Sequence, residues 1–266
     1  MNKQDLSQFS LNGTVWITSD IHLGPHIPLT CRFFYEFLAK AQQGCDHLIL
    51  NGDIFNAWVG DDLATHDPEP WLQEAIKQLQ AFSQHKPLYL VRGNRDFFLG
   101  KQLANLVNGK LMPDRFVLIN SQQKFLISHG DEYCTDDKGY MFFRGFSRIA
   151  WLQKLFLCLP LSFRKKIGQR VRARSQKKYQ RLSHSQVLIN RGDVSETAIR
   201  DTLRAHPDIP WLVHGHTHRP HVHHYQMNAC HYERWVNSDW ELDHPPYRAD
   251  YFEIKKGVIR RHDLLE

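Results

Sequence analysis

Five short polar motifs in this 266-residue chain carry residue types that bind divalent metals: Asp20-Ile21-His22, Gly52-Asp53, Gly93-Asn94-Arg95-Asp96, His129-Gly130-Asp131 and Gly215-His216-Thr217-His218. Mixed imidazole and carboxylate donors suit borderline-to-hard ions such as Mn, Fe or Zn and require no thiolate. An Asp carboxylate has two oxygens and can bridge two ions. Asn94 offers only a neutral carbonyl oxygen and reads as one member of a larger shell. A single Asp-x-His or Gly-Asp is an ordinary turn or helix cap. Five such motifs, each following an apolar run, supply enough ligands for two ions. A metal pair clamps the attacking and leaving oxygens of a displacement at phosphorus and acidifies the attacking water.

The runs that must position these groups are VWITS, HLILN, LYLVR, FLIS and WLV, all strand-like. In an open α/β sheet, ligands gather beyond the carboxyl ends of strands. That geometry would unite groups nearly 200 residues apart. Between the strands, helices are predicted over CRFFYEFLAKA, PWLQEAIKQLQAF and, shorter, near KQLANLV. FVLIN and KFLIS, separated by Ser121-Gln122-Gln123, read as a hairpin. Ser195 is expected to cap a helix over ETAIRDTLRAH. The alternating tail (ERWVNSDW, ADYFEIK, VIRRHDL) predicts antiparallel strands closing the domain. Interleaved βα units with β-rich ends predict an α/β fold, a two-sheet sandwich with flanking helices.

Residues 140–189 break this rhythm. An apolar first half, from Phe142 to Leu159, reads as a helix stopped by Pro160. The second half, FRKKIGQRVRARSQKKYQR, reads as a basic helix. Residues 138–192 hold 14 Lys or Arg and no Asp or Glu, which leaves the remainder with 20 basic against 28 acidic residues. So local a positive block points to an anionic partner. The apolar stretch is too short, and too interrupted by Lys154 and Pro160, to cross a bilayer. A helical lid over 140–189, inserted in a core of 14–139 and 190–266, fits better. Its apolar face and basic rim suit a lipid-bearing, phosphate-bearing substrate and an anionic membrane surface.

Hydrophobic content of 42% and charged content of 23% mark a soluble globular chain rather than a disordered or membrane-embedded one. MNKQDLSQFSLNG lacks the basic-then-apolar pattern of a secretory leader. Five cysteines without C-x-x-C spacing read as reduced thiols in a cytosolic protein, Cys134 among them as a packed thiol.

The motif order D-x-H, G-D, G-N, H, G-H-x-H resembles the calcineurin-like metallophosphoesterases over roughly residues 14–240. The resemblance implies one ion held by Asp20, His22, Asp53 and His218, and a second held by Asp53, Asn94, His129 and His216. Manganese is the expected metal. Many relatives carry His where Arg95 stands. His can protonate an alkoxide leaving group, but Arg, with a pKa above ~12, cannot. Arg95 can still neutralise charge growing on phosphoryl oxygens, so pyrophosphate cleavage is favoured over simple ester hydrolysis. The blocks NGDIFNAWVGDD, RGNRDFFLGKQLA, SHGDEYCTDDKGY, LPLSFRKKIGQRVRARS and HGHTHRPHVH further resemble the UDP-2,3-diacylglucosamine diphosphatase family of lipid A synthesis. That resemblance implies attack by metal-activated hydroxide on the α-phosphorus, giving UMP and 2,3-diacylglucosamine 1-phosphate. It places the enzyme in the cytoplasm, peripheral on the inner membrane. It assigns Asn94, Arg95, Asp137, Arg172 and Ser175 to substrate.

The chain departs from the family at Asn56, where Glu is usual, and at Asn237-Ser238-Asp239-Trp240 in place of Leu-Gly-Asp-Trp. It also runs longer after Ser175, so Lys177, Lys178 and Arg181 compete for the role of the lid lysine. These departures leave open a related enzyme acting on another nucleotide-linked substrate. A nuclease is the other alternative, but a broad aliphatic wall is foreign to nucleic-acid grooves, and no nucleic acid is expected. A non-catalytic membrane scaffold has no use for seven ordered ligands. His214 reads as a residue at a strand end or just behind the ligands, His26 as a surface loop residue, and His221, His223 and His224 as solvated.

Overall fold

The structure, a computed structural model, describes residues 6–182, 193–227 and 230–266, without the side chains of 175–182. Strand β2 (Thr14–Thr18) is buried along its whole length. Val15 and Ile17 point into one apolar layer and Trp16 into another, the period-2 division of a strand covered on both faces. β3 (His47–Asn51) and β4 (Leu88–Val91) repeat it. Ile49 and Val91 join Val15, while Leu48, Leu50, Leu88 and Leu90 face the other way. Helices α1 (Pro28–Gly44) and α2 (Pro70–Ser83) cover that outer side. Both begin on proline, whose missing N–H is no loss in a first turn. After β4, α3 (Lys101–Leu106) leads to β5 (Lys110–Leu111). With β11 (Asp250–Lys255) and β12 (Val258–Asp263), the sheet order is β12-β11-β2-β3-β4-β5.

The second sheet runs β1-β6-β7-β8-β10-β9. Its strands are β1 (Gln8–Ser10), β6 (Arg115–Asn120), β7 (Gln123–Ser128), β8 (Trp211–His214), β9 (His221–Met227) and β10 (Cys230–Val236). Phe116, Phe125, Ile127 and Val213 pack between the sheets against Val15, Ile17 and Ile49. Helix α7 (Glu196–Ala205) closes the outer face through Ile199 and Leu203. The expected two-sheet α/β sandwich with flanking helices is the fold observed.

Several local expectations change. β10 is antiparallel to β9 but parallel to β8, so the tail is not wholly antiparallel. ERWVNSDW is strand only to Val236. There Asn237 Nδ2 and the Ser238 amide donate to Asp250 Oδ1 at 3.2 and 2.9 Å, which pulls the chain off the sheet. Ser195 stands at the N-cap of α7 but its side chain makes no capping bond. The hairpin turn is only Ser121 and Gln122, with φ of 47° and 68°, as a type I′ turn requires. The expected single apolar helix is two, α4 (Lys138–Ser147) and α5 (Ala150–Leu157). The break falls where Arg148 turns inward and donates to Asp114 Oδ2 (2.6 Å) and Gly93 O (3.2 Å). Pro160 then precedes the basic helix α6 (Leu161–Leu182). Residues 183–189 of the expected lid lie outside the described residues. Among the described residues, no helix is long and apolar enough to cross a membrane.

Among the described side chains of α6, Arg164 is the most deeply buried of the basic ones. Arg164 is 2% exposed and donates to Leu159 O, Val59 O and the Asp62 carboxylate. This fork fastens α6 to the body. Arg164→Ala is expected to destabilise the fold by about 2–3 kcal/mol, because two carbonyls and a carboxylate lose their donor. Asp62 is about a third exposed, which keeps the effect at the low end for a broken buried pair. The urea-unfolding midpoint measures it, and an unchanged midpoint removes Arg164 as an anchor.

Candidate metal centre

All seven candidate ligands converge at the carboxyl ends of the strands. Asp20, His22, Asp53, His216 and His218 have φ between 52° and 66°. Non-glycine residues rarely adopt this left-handed region, and each instance costs of order 1–3 kcal/mol. The strain lets each chain turn sharply off its strand and aim a ligand inward. Two glycines make the close approach possible. A Cβ on Gly93 would overlap the Asp53 carboxylate and amide, and one on Gly215 would overlap Asp20 Oδ2 and Ser19 Oγ.

Two triads lie within metal-binding reach, Asp20 with His22 and His218, and Asp20 with Asp53 and His129. Asp20 is common to both, and Asp53 reaches from the second toward the first, 3.5 Å from His129 Nε2 and 3.9 Å from His22 Nδ1. Asn94 Oδ1 lies 3.0 Å from His129 Nε2 and 2.7 Å from His216 Nδ1. His218 Nε2 is 3.4 Å from Asp20 Oδ1 and 3.2 Å from His22 Nε2.

The donor set fits cations. Asp20 Oδ1 and His22 Nδ1 are buried without a hydrogen-bond partner. His129 Nδ1 donates to Asn51 O at 3.0 Å, which leaves Nε2, beside Asn94 Oδ1, to carry a second proton or to serve as a metal ligand. Burial disfavours charge on His129, yet Asp53, Asp20 and Asp131 pull it up to about 9. His218 is likewise raised, to about 10, because Asp20 and Asp239 outweigh its burial. Burial and the His129 charge push His216 down to about 4, and burial with Arg95 holds His22 well below its usual range. The carboxylates thus favour positive charge beside His129 and His218.

Buried groups behind this layer fix it, and the motif reading did not assign them. Asp96 Oδ2 accepts from the Ile54 amide (2.7 Å) and Oδ1 from the Gly93 amide (2.6 Å), tying two ligand loops together. Its place three residues after Gly93 was the visible signal. Asp239 lies 3.3 Å from His218 Nδ1 and accepts from Arg248 Nε and Nη2, each at 2.8 Å. A carboxylate behind a metal-ligating imidazole orients it and raises its basicity. Only the departure at Asn237-Ser238-Asp239-Trp240 hinted at this segment. His214 ends β8, buried, with Nδ1 donating to Gly215 O (2.8 Å). Exposed His26 sits 2.8 Å from Asn56 Nδ2.

A cavity of about 1220 Å³ opens from the centre toward α4, α5 and α6. Asn94, Arg95, Asp137 and Arg172 all line it, as do Phe98, Phe143, Phe156 and Ile167. The Arg95 amide donates to Asp53 Oδ1 (2.8 Å), and its guanidinium donates to Asn56 Oδ1 (2.9 Å) beside Asp53 Oδ2 (3.5 Å). Arg172 donates to Asn56 O at 2.9 Å. Burial and the Arg95 charge push Arg172 down to about 10, so the two guanidiniums repel and together favour an anion. Asp137 caps α4 by accepting from the Tyr140 amide at 3.0 Å. Cys134 is buried with its thiol pushed up to about 12 by that burial. The side chain of Ser175, and those of Lys177, Lys178 and Arg181, lie outside the described residues.

The chain belongs to the calcineurin-like phosphoesterase family, which it matches over residues 13–220. It is 37% identical to a UDP-2,3-diacylglucosamine hydrolase of Bordetella parapertussis over 262 residues, covering 98% of this chain and 99% of the relative. It is 38% identical to one of Escherichia coli over 226 residues, covering 85% and 90%. A Ralstonia nicotianae protein of the same name is 35% identical over 94% of this chain and 92% of its own length.

Proposed function

We propose that this chain hydrolyses the pyrophosphate bond of UDP-2,3-diacylglucosamine to UMP and 2,3-diacylglucosamine 1-phosphate, a step of lipid A synthesis. The observation that carries the reading is one continuous cavity, with a carboxylate-imidazole centre at one end and an aromatic wall at the other. The substrate has the matching halves, and the relatives named above bear its name. Asp20, His22, Asp53 and His218 would hold one ion, and Asp53, Asn94, His129 and His216 the other, with manganese the expected metal. When bound, such a pair polarises phosphoryl oxygens and acidifies water. Arg95, braced by Asn56, would neutralise the reacting phosphoryl group, and Arg172 the neighbouring phosphate. The departing sugar phosphate has a second pKa near ~6 and needs no proton, which suits a site with arginine at position 95. Residues 140–189 would act as the lid on a core of 14–139 and 190–266.

The outer side of α4 and α5 supports peripheral attachment to the cytoplasmic face of the inner membrane. Phe142 is 79% and Trp151 65% exposed, close in sequence to the basic α6. Apolar residues beside cations suit an anionic bilayer surface.

Hydrolysis in heavy-oxygen water, followed by mass spectrometry of both products, tests the reaction and its direction. The water oxygen should appear only in UMP, as attack on the α-phosphorus breaks the bond from that phosphorus to the bridging oxygen. Label in the sugar phosphate would reverse the assigned orientation, and no UMP at all would remove the substrate.

A further inference from the structure

The motif His129-Gly130-Asp131 ends on a carboxylate that the proposed reaction does not use. Asp131 is 2% exposed. Its Oδ2 accepts from Tyr140 Oη (2.6 Å) and Arg144 Nε (2.8 Å), with Arg148 Nη2 at 3.7 Å. Burial alone would raise this carboxyl, but Arg144, the site imidazoles and Arg148 hold it well below its usual range. Tyr140 and Arg144 lie on α4, and Arg148 directly follows it. Arg148 also donates to Gly93 O, immediately before Asn94. The Tyr140 ring stacks over His216, with centroids 6.2 Å apart and planes at 27°. The helix and the residue that caps its end therefore touch the three loops that carry Asn94, His129 and His216. These are the candidate ligands of the second ion other than the bridging Asp53. No side chain of α4 is buried, so polar bonds at its inner edge, more than core packing, seat it.

We propose that Tyr140, Arg144 and Arg148 are positioning residues for the second metal ion, acting through Asp131, Gly93 and His216. Retention of that ion then depends on α4 being seated. The proposal rests on the two-metal reading above. The mechanism is geometric. Asp131 is two residues from His129, and its pull on α4 fixes the turn between them. Arg148 fixes the carbonyl that precedes Asn94, and the Tyr140 ring limits the swing of the His216 imidazole. Groups behind a metal ligand typically change affinity by about 10–100-fold when removed.

Titration of the full chain with Mn²⁺, by calorimetry and by the electron paramagnetic resonance of free Mn²⁺, provides the test. The unsubstituted chain should take up two equivalents. Arg148→Ala and Tyr140→Phe should each weaken one equivalent by about 10–100-fold and leave the other unchanged. Tyr140→Phe keeps the ring and removes only the hydroxyl, so it reports even if Arg148→Ala loses its native circular dichroism. Native affinity for both equivalents in a folded variant overturns the proposal, as does equal weakening of both. Fewer than two equivalents in the unsubstituted chain would instead overturn the two-metal reading, and the proposal with it.

Discussion

Alanine at His129 or at His216 is expected to lower kcat/KM by about 10³-fold or more. Metal stabilisation of charge at a reacting phosphoryl group is worth several kcal/mol, and about 1.4 kcal/mol is tenfold in rate. Both imidazoles point at Asn94 Oδ1, from 3.0 and 2.7 Å. On the proposed ligand set, removing either would leave the second ion with one imidazole, the shared Asp53 and a neutral amide oxygen, too weak a set to hold it. The variants should therefore lose about one bound metal per chain as well as activity. Chelation of the unsubstituted chain should reproduce the loss, and re-addition of Mn²⁺ should reverse it, which separates a lost ion from a lost fold. Full activity of the chelated, metal-free protein would sink the two-metal reading.

The motifs of the candidate ligands were legible because each sits where an apolar strand ends and the chain must turn. HLILN followed by Gly52-Asp53 announces both the strand and the group it delivers. The sandwich was legible for the same reason, since Val15, Trp16 and Ile17 show two buried faces in three residues. What stayed hidden depends on contacts far apart in the chain. Arg164 looks like any other of the 14 basic residues in its segment. Its burial is decided by the Val59 carbonyl, 105 residues away. The break between α4 and α5 follows from Asp114 and the Gly93 carbonyl capturing Arg148, and neither acceptor is near it in sequence. The left-handed backbone at Asp20, His22 and His218 is only weakly signalled by residue type, because Asp and His tolerate that region better than most residues but still need the packing around the site to hold them there. Asp131 was visible as part of a motif, yet its partners on α4 could not be read from spacing alone.

Substrates with shorter acyl chains are expected to lose activity steeply. Phe98 and Phe156 stack at 4.6 Å on one side of the cavity, and Phe143 meets Phe97 edge to face at 6.3 Å. This aromatic wall lines the same space as Arg95 and Arg172, so a lipid chain can lie along it while the phosphates remain at the arginines. Each methylene buried there contributes about 0.8 kcal/mol. A chain shortened by four carbons should lose roughly 3 kcal/mol, or about 200-fold in kcat/KM. Arg172→Ala should instead raise KM at every chain length and leave metal content unchanged, because it acts on the phosphate end. The measurement is kcat/KM across a chain-length series in a fixed detergent, which holds presentation constant. A flat profile down to UDP-glucosamine would mean that the cavity does not read lipid. The centre would then remain a nucleotide pyrophosphatase, since Arg95 and the seven ligands owe nothing to the acyl wall, and the lipid A assignment would fall.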